Sequence, residues 1–134
     1  MPTKQQIQDT LKRHFTAWNG RDRTAWLANF AEDVHLEDPV GGPLKSGRKS
    51  LEATWDNSFK EGHQWTLEPR VMQVCKDQAA LYVKTRGTVA GNPVELDSIE
   101  IYTVNDAGQI AQLRTYFNPP DGQALDSFFM SAHG

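Results

Sequence analysis

Cysteine is almost missing from this chain: Cys75 is the only one among 134 residues. An internal disulfide is therefore excluded, and a reducing, cytoplasmic setting is expected. A lone thiol of this kind is expected to be buried and structural. No apolar run approaches the ~20 residues of a bilayer-crossing helix, and the N-terminus lacks the basic-then-apolar order of a secretion signal, so no membrane partner is expected. Excess positive charge is absent too. Fourteen Lys plus Arg against seventeen Asp plus Glu give a net charge of −3, with the basic residues scattered and no Gly-rich phosphate loop. Nucleic acid is not an expected partner, and no nucleotide is signalled. His14, His35, His63 and His133 fall at no metal-binding spacing, so neither a metal nor another cofactor is expected. Ser46, Ser50 and Ser58 have no evident His–carboxylate set, and Gly-X-Ser-X-Gly does not occur. With no repeat and no low-complexity stretch, the chain reads as one domain over 1–134.

What is present is aromatic and patterned. Four Trp and six Phe suffice for a core. Thr3 with Gln6 three residues on resembles a capping box, and Ile7, Leu11, Phe15 and Trp18 then recur at helical spacing. Asn19-Gly20 is a plausible stop, and Asp22 can cap a short second helix with Trp26, Leu27 and Phe30 facing inward. A short alternating strand over 34–38 runs into Pro39 and Gly41-Gly42. Residues 45–48 read as a polar, flexible link, followed by a third helix with Leu51, Trp55 and Phe59 at intervals of four, interrupted by Gly62. Beyond it the period changes to two. Stretches 65–74, 79–89, 94–104 and 109–117 predict four strands joined by links short enough for antiparallel neighbours. Pro69 marks an edge strand or a bulge. Leu125, Phe128, Phe129 and Met130 suggest a terminal helical turn or packing tail. The fold class is α+β: a curved antiparallel sheet packed against three N-terminal helices, able to leave an apolar pocket between them.

Asp38 is the leading candidate for chemistry. Pro39 pushes it out of the α region, and alternation puts it on the side of Leu36, opposite His35 and Glu37. A carboxylate beside apolar side chains has its charged form disfavoured and is strengthened as a base. The plainer alternative is an Asp that accepts from the amides of the following turn. Glu100 comes second, sharing a strand side with Ser98, Tyr102 and Val104. Beside a charged Asp38 it would stay protonated and could donate to a developing oxyanion; otherwise it pairs with Arg114 at the sheet margin. His14, on the apolar stripe of the first helix, is either a core histidine satisfied by one hydrogen bond or a donor and proton shuttle. Trp18, Phe30, Trp55, Phe59, Tyr102 and Phe117 are candidate pocket walls for a flat hydrophobic small molecule. Both sides of the 94–104 strand are partly apolar, as a sheet covered by helices on one face and a second subunit on the other requires.

The residues Phe15-Thr16-Ala17-Trp18-Asn19-Gly20-Arg21-Asp22, then Trp26-Leu27-Ala28-Asn29-Phe30-Ala31-Glu32-Asp33-Val34, then Glu37-Asp38-Pro39-Val40-Gly41 resemble the front half of the steroid Δ5-3-ketosteroid isomerases. These belong to the wider nuclear-transport-factor-2-like domains, with the polyketide-cyclase-like (SnoaL-like) group. Asn105-Asp106-Ala107-Gly108-Gln109-Ile110, with Arg114 and Phe117, is similar to the family's last hairpin. The similarity spans about 5–117, and Glu-Asp-Pro-Val-Gly is its specific part. It implies a cone-shaped α+β barrel with a deep pocket and a homodimer formed through the sheet. It also implies an aspartate base, matching Asp38, that moves a proton from C4 to C6 of a steroid. The tyrosine and protonated aspartate that hold the dienolate oxygen in those enzymes are replaced here by His14 and Glu100. The resemblance thus suggests a proton transfer α to a carbonyl. A dehydratase or cyclase using a His14–Asp38 pair, and a binding module without catalysis, are the other readings.

Overall fold

Thr3 opens the first helix, α1 (Lys4–Asn19), as a capping box: its hydroxyl accepts from the Gln6 amide while the Gln6 side chain accepts from the Thr3 N–H. Asp22 caps α2 (Arg23–Ala28) through the Ala25 amide. The strands and third helix follow as β1 (Phe30–Glu37), β2 (Leu44–Ser46), α3 (Arg48–Ser58), β3 (Gln64–Cys75), β4 (Gln78–Val89), β5 (Asn92–Val104) and β6 (Ile110–Phe117). The computed structural model describes residues 1–118; the stretch containing Leu125, Phe128, Phe129 and Met130 lies outside the described residues. The strands form one sheet in the order β2-β1-β6-β5-β4-β3. This is the expected α+β architecture, a curved sheet with the N-terminal helices packed on it, and it matches the nuclear-transport-factor-2-like form.

Two hydrogen-bonded sites clamp helix to sheet. Trp18 Nε1 donates to the Trp65 carbonyl at 3.0 Å. Asn19 makes a two-way bridge to Leu67, donating to its carbonyl at 2.7 Å and accepting its amide at 2.9 Å. Above them Trp18, Trp26, Trp55 and Phe59 pack ring against ring with centroids 4.6–5.3 Å apart. Each such aromatic contact adds about 0.5–1.5 kcal/mol beyond the area it buries.

Four expectations from the sequence are corrected. The first strand begins at Phe30, four residues earlier than alternation suggests, because a register shift between Phe30 and His35 leaves Glu32 and Asp33 both exposed and hides the period. It pairs with β6 in parallel, not antiparallel, since β1 and β6 are far apart in the chain and no short link constrains them. Residues 44–46 form a strand antiparallel to β1 where a flexible link was expected. Cys75 is exposed, at the end of the edge strand β3, where one side of the ladder has no cover. Pro69 lies in that edge strand and beside a register shift, as its missing N–H requires.

At Gly87 the backbone of β4 lies hard against β3. A Cβ there would fall against the Gln64 carbonyl oxygen and the Trp65 ring. Gly87→Ala is expected to destabilise the fold by about 1–3 kcal/mol, read as a lowered urea midpoint with an unchanged slope; a midpoint equal to wild type would show that β3 can retreat freely.

Candidate active site

A cavity opens between the helices and the concave face of the sheet. Its walls include Trp18, Trp26, Phe30, Leu36, Trp65 and Leu113, and its polar lining includes His14, Asp38, Ser98, Glu100, Tyr102 and Thr115. The space swept by the centres of water-sized spheres is about 100 Å³, room for several waters at ~10–15 Å³ each by the same measure. Alternation on β5 delivers Ser98, Glu100 and Tyr102 to this side, each less than a tenth exposed, while Ile99 faces outward at 47% exposed.

Asp38 follows β1 directly and reaches the cavity on the same side as Leu36. Its position is held by β6. Thr115 Oγ1 donates to Asp38 Oδ1 at 2.5 Å, and the Thr115 carbonyl accepts the Val40 amide at 2.8 Å. The Gly42 amide goes to the Pro39 carbonyl, so these two turn amides are committed elsewhere and not to Asp38. Thr115 is also the register partner of Glu100. One residue of β6 thereby stands between the two carboxyl groups.

Glu100 does not meet Arg114, which pairs with Glu37 at 3.2 Å instead. Its carboxyl accepts from Tyr102 Oη at 2.6 Å on Oε1 and lies 3.2 Å from Ser98 Oγ on Oε2. Burial raises its pKa from 4.5 to about 7; the negative charge of Asp38 adds to the rise, and the hydrogen bonds from Tyr102 and Ser98 oppose it. Burial, followed by the charge and hydrogen bond of Glu100, raises the Tyr102 hydroxyl well above its ordinary value, so it keeps its proton.

His14 is 3% exposed and ringed by Phe15, Trp26, Phe30 and Tyr102. Its Nε2 lies 3.1 Å from Tyr102 Oη, and burial lowers its pKa to about 3, so it is neutral at ordinary pH. His14 therefore joins the Glu100 group through Tyr102 and makes no hydrogen bond to Asp38. Of the expected pocket walls, Trp18, Phe30, Tyr102 and Phe117 line the cavity. Trp55 and Phe59 do not: both are taken up in the aromatic cluster with Trp18 and Trp26, because Trp55 on α3 and Phe59 just after its end turn toward α1 and α2. Sequence reasoning put Ser98 on the side of Glu100 without giving it a role, and passed over Thr115, which only the long-range pairing of β6 with β1 and β5 reveals. It also passed over Lys45, a half-buried amine whose Nζ donates to cavity-lining Thr54 at 3.1 Å; burial lowers its pKa while Asp38 raises it.

A family model described as SnoaL-like domain matches residues 11–113. The monooxygenase AgnL5 of Paecilomyces divaricatus is 29% identical over 141 aligned positions, covering 100% of this chain and 82% of that protein. A steroid Delta-isomerase of Nocardioides simplex is 25% identical over 116 positions, covering 87% of this chain and 93% of that protein. Among solved structures, RV0760c from Mycobacterium tuberculosis in complex with estradiol-17beta-hemisuccinate superposes with a TM-score of 0.74 at 23% identity, over 84% of this chain and 94% of that one. At that identity the likeness is one of fold.

Between pH 4.5 and about 7 the folded chain holds the Glu100 proton while the unfolded chain releases it. The contribution to stability is thus complete below pH 4.5 and is lost as pH rises toward 7. Glu100→Gln removes this dependence. Relative to wild type, the variant is expected to gain about 3 kcal/mol between pH 4 and pH 8, measured by denaturant titration at both values; an equal difference at the two pH values would show that Glu100 is not held protonated.

Proposed function

The chain belongs to the SnoaL-like domain family, and from that membership we propose that it is an isomerase-type enzyme acting on a neutral, hydrophobic carbonyl compound. Asp38 takes a proton from the carbon α to the carbonyl. Protonated Glu100 donates a hydrogen bond to the carbonyl oxygen as negative charge gathers there, and Asp38 returns the proton at the γ carbon, shifting the double bond. The proton leaves one carbon and arrives at another, so no cofactor is needed to balance the step.

The observation that carries this reading is that Asp38 and Glu100 reach one apolar cavity from different elements with unlike surroundings. Glu100 is nine-tenths buried and favours its neutral form; Asp38 is only half-buried and takes a hydrogen bond from Thr115. A base and a neutral acid side by side is what proton transfer through an enolate requires, since a preorganised donor is worth most where water is excluded. The relative named as a steroid Delta-isomerase supports the substrate class. The same reading includes a homodimer through the outer sheet face, where Tyr82, Ile99 and Tyr116 are register partners in one row across β4, β5 and β6.

Asp38→Asn keeps the shape and removes the base. Turnover of a β,γ-unsaturated cyclic ketone, followed as ultraviolet absorbance of the conjugated product, is expected to fall by about 10²–10⁴-fold with ligand affinity largely retained. Equal turnover in the variant would refute the role of Asp38. Tight binding with no turnover at any pH in either protein would replace the enzyme with a binding module.

A further inference from the structure

We infer that His14 is a positioning residue for Glu100: it heads a one-way hydrogen-bond chain, from His14 Nε2–H to Tyr102 Oη and from Tyr102 Oη–H to Glu100 Oε1, which leaves Oε2 as the oxygen that carries the proton for the ligand. This rests on the reading of Glu100 as the donor.

Proton counting gives the direction. Tyr102 has one hydroxyl proton and two neighbours, Glu100 Oε1 at 2.6 Å and His14 Nε2 at 3.1 Å. With the Tyr102 proton directed to Glu100 Oε1, Nε2 must be the nitrogen that bears hydrogen, or two lone pairs would face each other. A neutral imidazole has only one N–H. The other nitrogen, Nδ1, is then a bare acceptor, and among the described residues it has no hydrogen-bond partner. A buried acceptor left empty costs less than a buried N–H left empty, so the orphaned Nδ1 and the short Tyr102–Glu100 bond select the same tautomer.

The far end of the chain is also satisfied. Ser98 Oγ lies 3.2 Å from Glu100 Oε2 and 3.4 Å from the Val83 carbonyl. With Glu100 protonated, Oε2–H can donate to Ser98 while Ser98 donates to Val83; with Glu100 ionised, Ser98 turns its proton to Oε2. A ligand oxygen entering the cavity takes the Oε2 proton in place of Ser98, and the donors behind Oε1 stay in line. Each bond in such a chain polarises the next. Among the described residues the titratable groups facing Glu100 are Tyr102 on its own strand and Asp38 after β1, with His14 from α1 reached through Tyr102. Its register partners Leu81 on β4 and Thr115 on β6 carry no titratable group.

The test reads protons and needs no turnover, so a failure here is separate from a failure of the isomerase reading. Imidazole ¹⁵N shifts of the wild-type protein are expected to show His14 as the Nε2–H tautomer across pH 5–8; the Nδ1–H tautomer would overturn the chain without any variant. Titration of the Glu100 carboxyl carbon by ¹³C NMR follows in Tyr102→Phe, His14→Met, His14→Gln and the Tyr102→Phe/His14→Met double variant. Tyr102→Phe is expected to raise the apparent Glu100 pKa by about 1–2, and His14→Met by less, in the same direction. His14→Gln, which can place an N–H near the Nε2 position, is expected to titrate close to wild type. In the Tyr102→Phe background His14→Met should add nothing; shifts that sum would mean that His14 acts on Glu100 by another route.

Discussion

A carboxyl group enclosed in an apolar cavity, with a second carboxyl beside it, is the constraint that orders this molecule. Glu100 is 7% exposed, and burying it charged and alone would cost several kcal/mol. The fold answers with donors on one edge and neutrality on the other. Tyr102 and Ser98, two residues to either side on the same strand, supply the hydrogen bonds because a period of two keeps all three on one face. The charge of Asp38 pushes the same group toward its neutral form. What would be a liability in an ordinary core is, in the proposed function, a hydrogen-bond donor at the wall of a pocket.

The parallel pairing of β1 with β6 has a functional consequence. It brings the end of β1, and so Asp38, beside Thr115, which β5 already holds opposite Glu100. The Val40 amide and the Asp38 carboxylate both bond to Thr115, so the turn is anchored on the strand that also neighbours Glu100. The distance between the two acids is set by sheet geometry and not by the turn alone. The aromatic cluster around Trp18 and Trp55, clamped to β3 through Trp65 and Leu67, closes the opposite side and keeps the helices at a fixed height above the sheet.

Much of this was legible in the residues. Thr3 and Gln6, Asp22, the fours from Leu51 to Phe59 and the twos from Ser98 to Val104 each carry a local rule that tertiary structure had no reason to override. Asp38 and Glu100 were legible for the same cause, because alternation beside Leu36 and Tyr102 fixes their side. What escaped was long-range. No local signal tells that residues 44–46 lie against β1, or that β6 returns in parallel beside it. The bulge between Phe30 and His35 removed the period that would have lengthened the first strand. Trp55 and Phe59 have the right spacing for an inward face, but two inward directions exist, toward the cavity and toward the other helices, and spacing does not distinguish them. Cys75 was misjudged from its residue type, which favours burial on average, against its place at the end of an edge strand.

Charge at the cavity narrows the chemistry further. Among the described residues its lining includes two carboxyl groups and no Lys or Arg. A ligand already carrying negative charge would meet Asp38 on that wall; the half-buried Lys45 amine, which donates to Thr54 and feels the charge of Asp38, lies outside the lining. For the proposed isomerase a neutral ligand whose negative charge arises only as a proton leaves it would be the better match, because a Glu100 O–H would strengthen its bond as that charge grows. The SnoaL-like fold itself does not impose this choice. It provides an apolar hollow and a strand side facing it; the proposed proton transfer would depend on three residues on that side, Ser98, Glu100 and Tyr102, with His14 behind them and Asp38 on the same cavity wall.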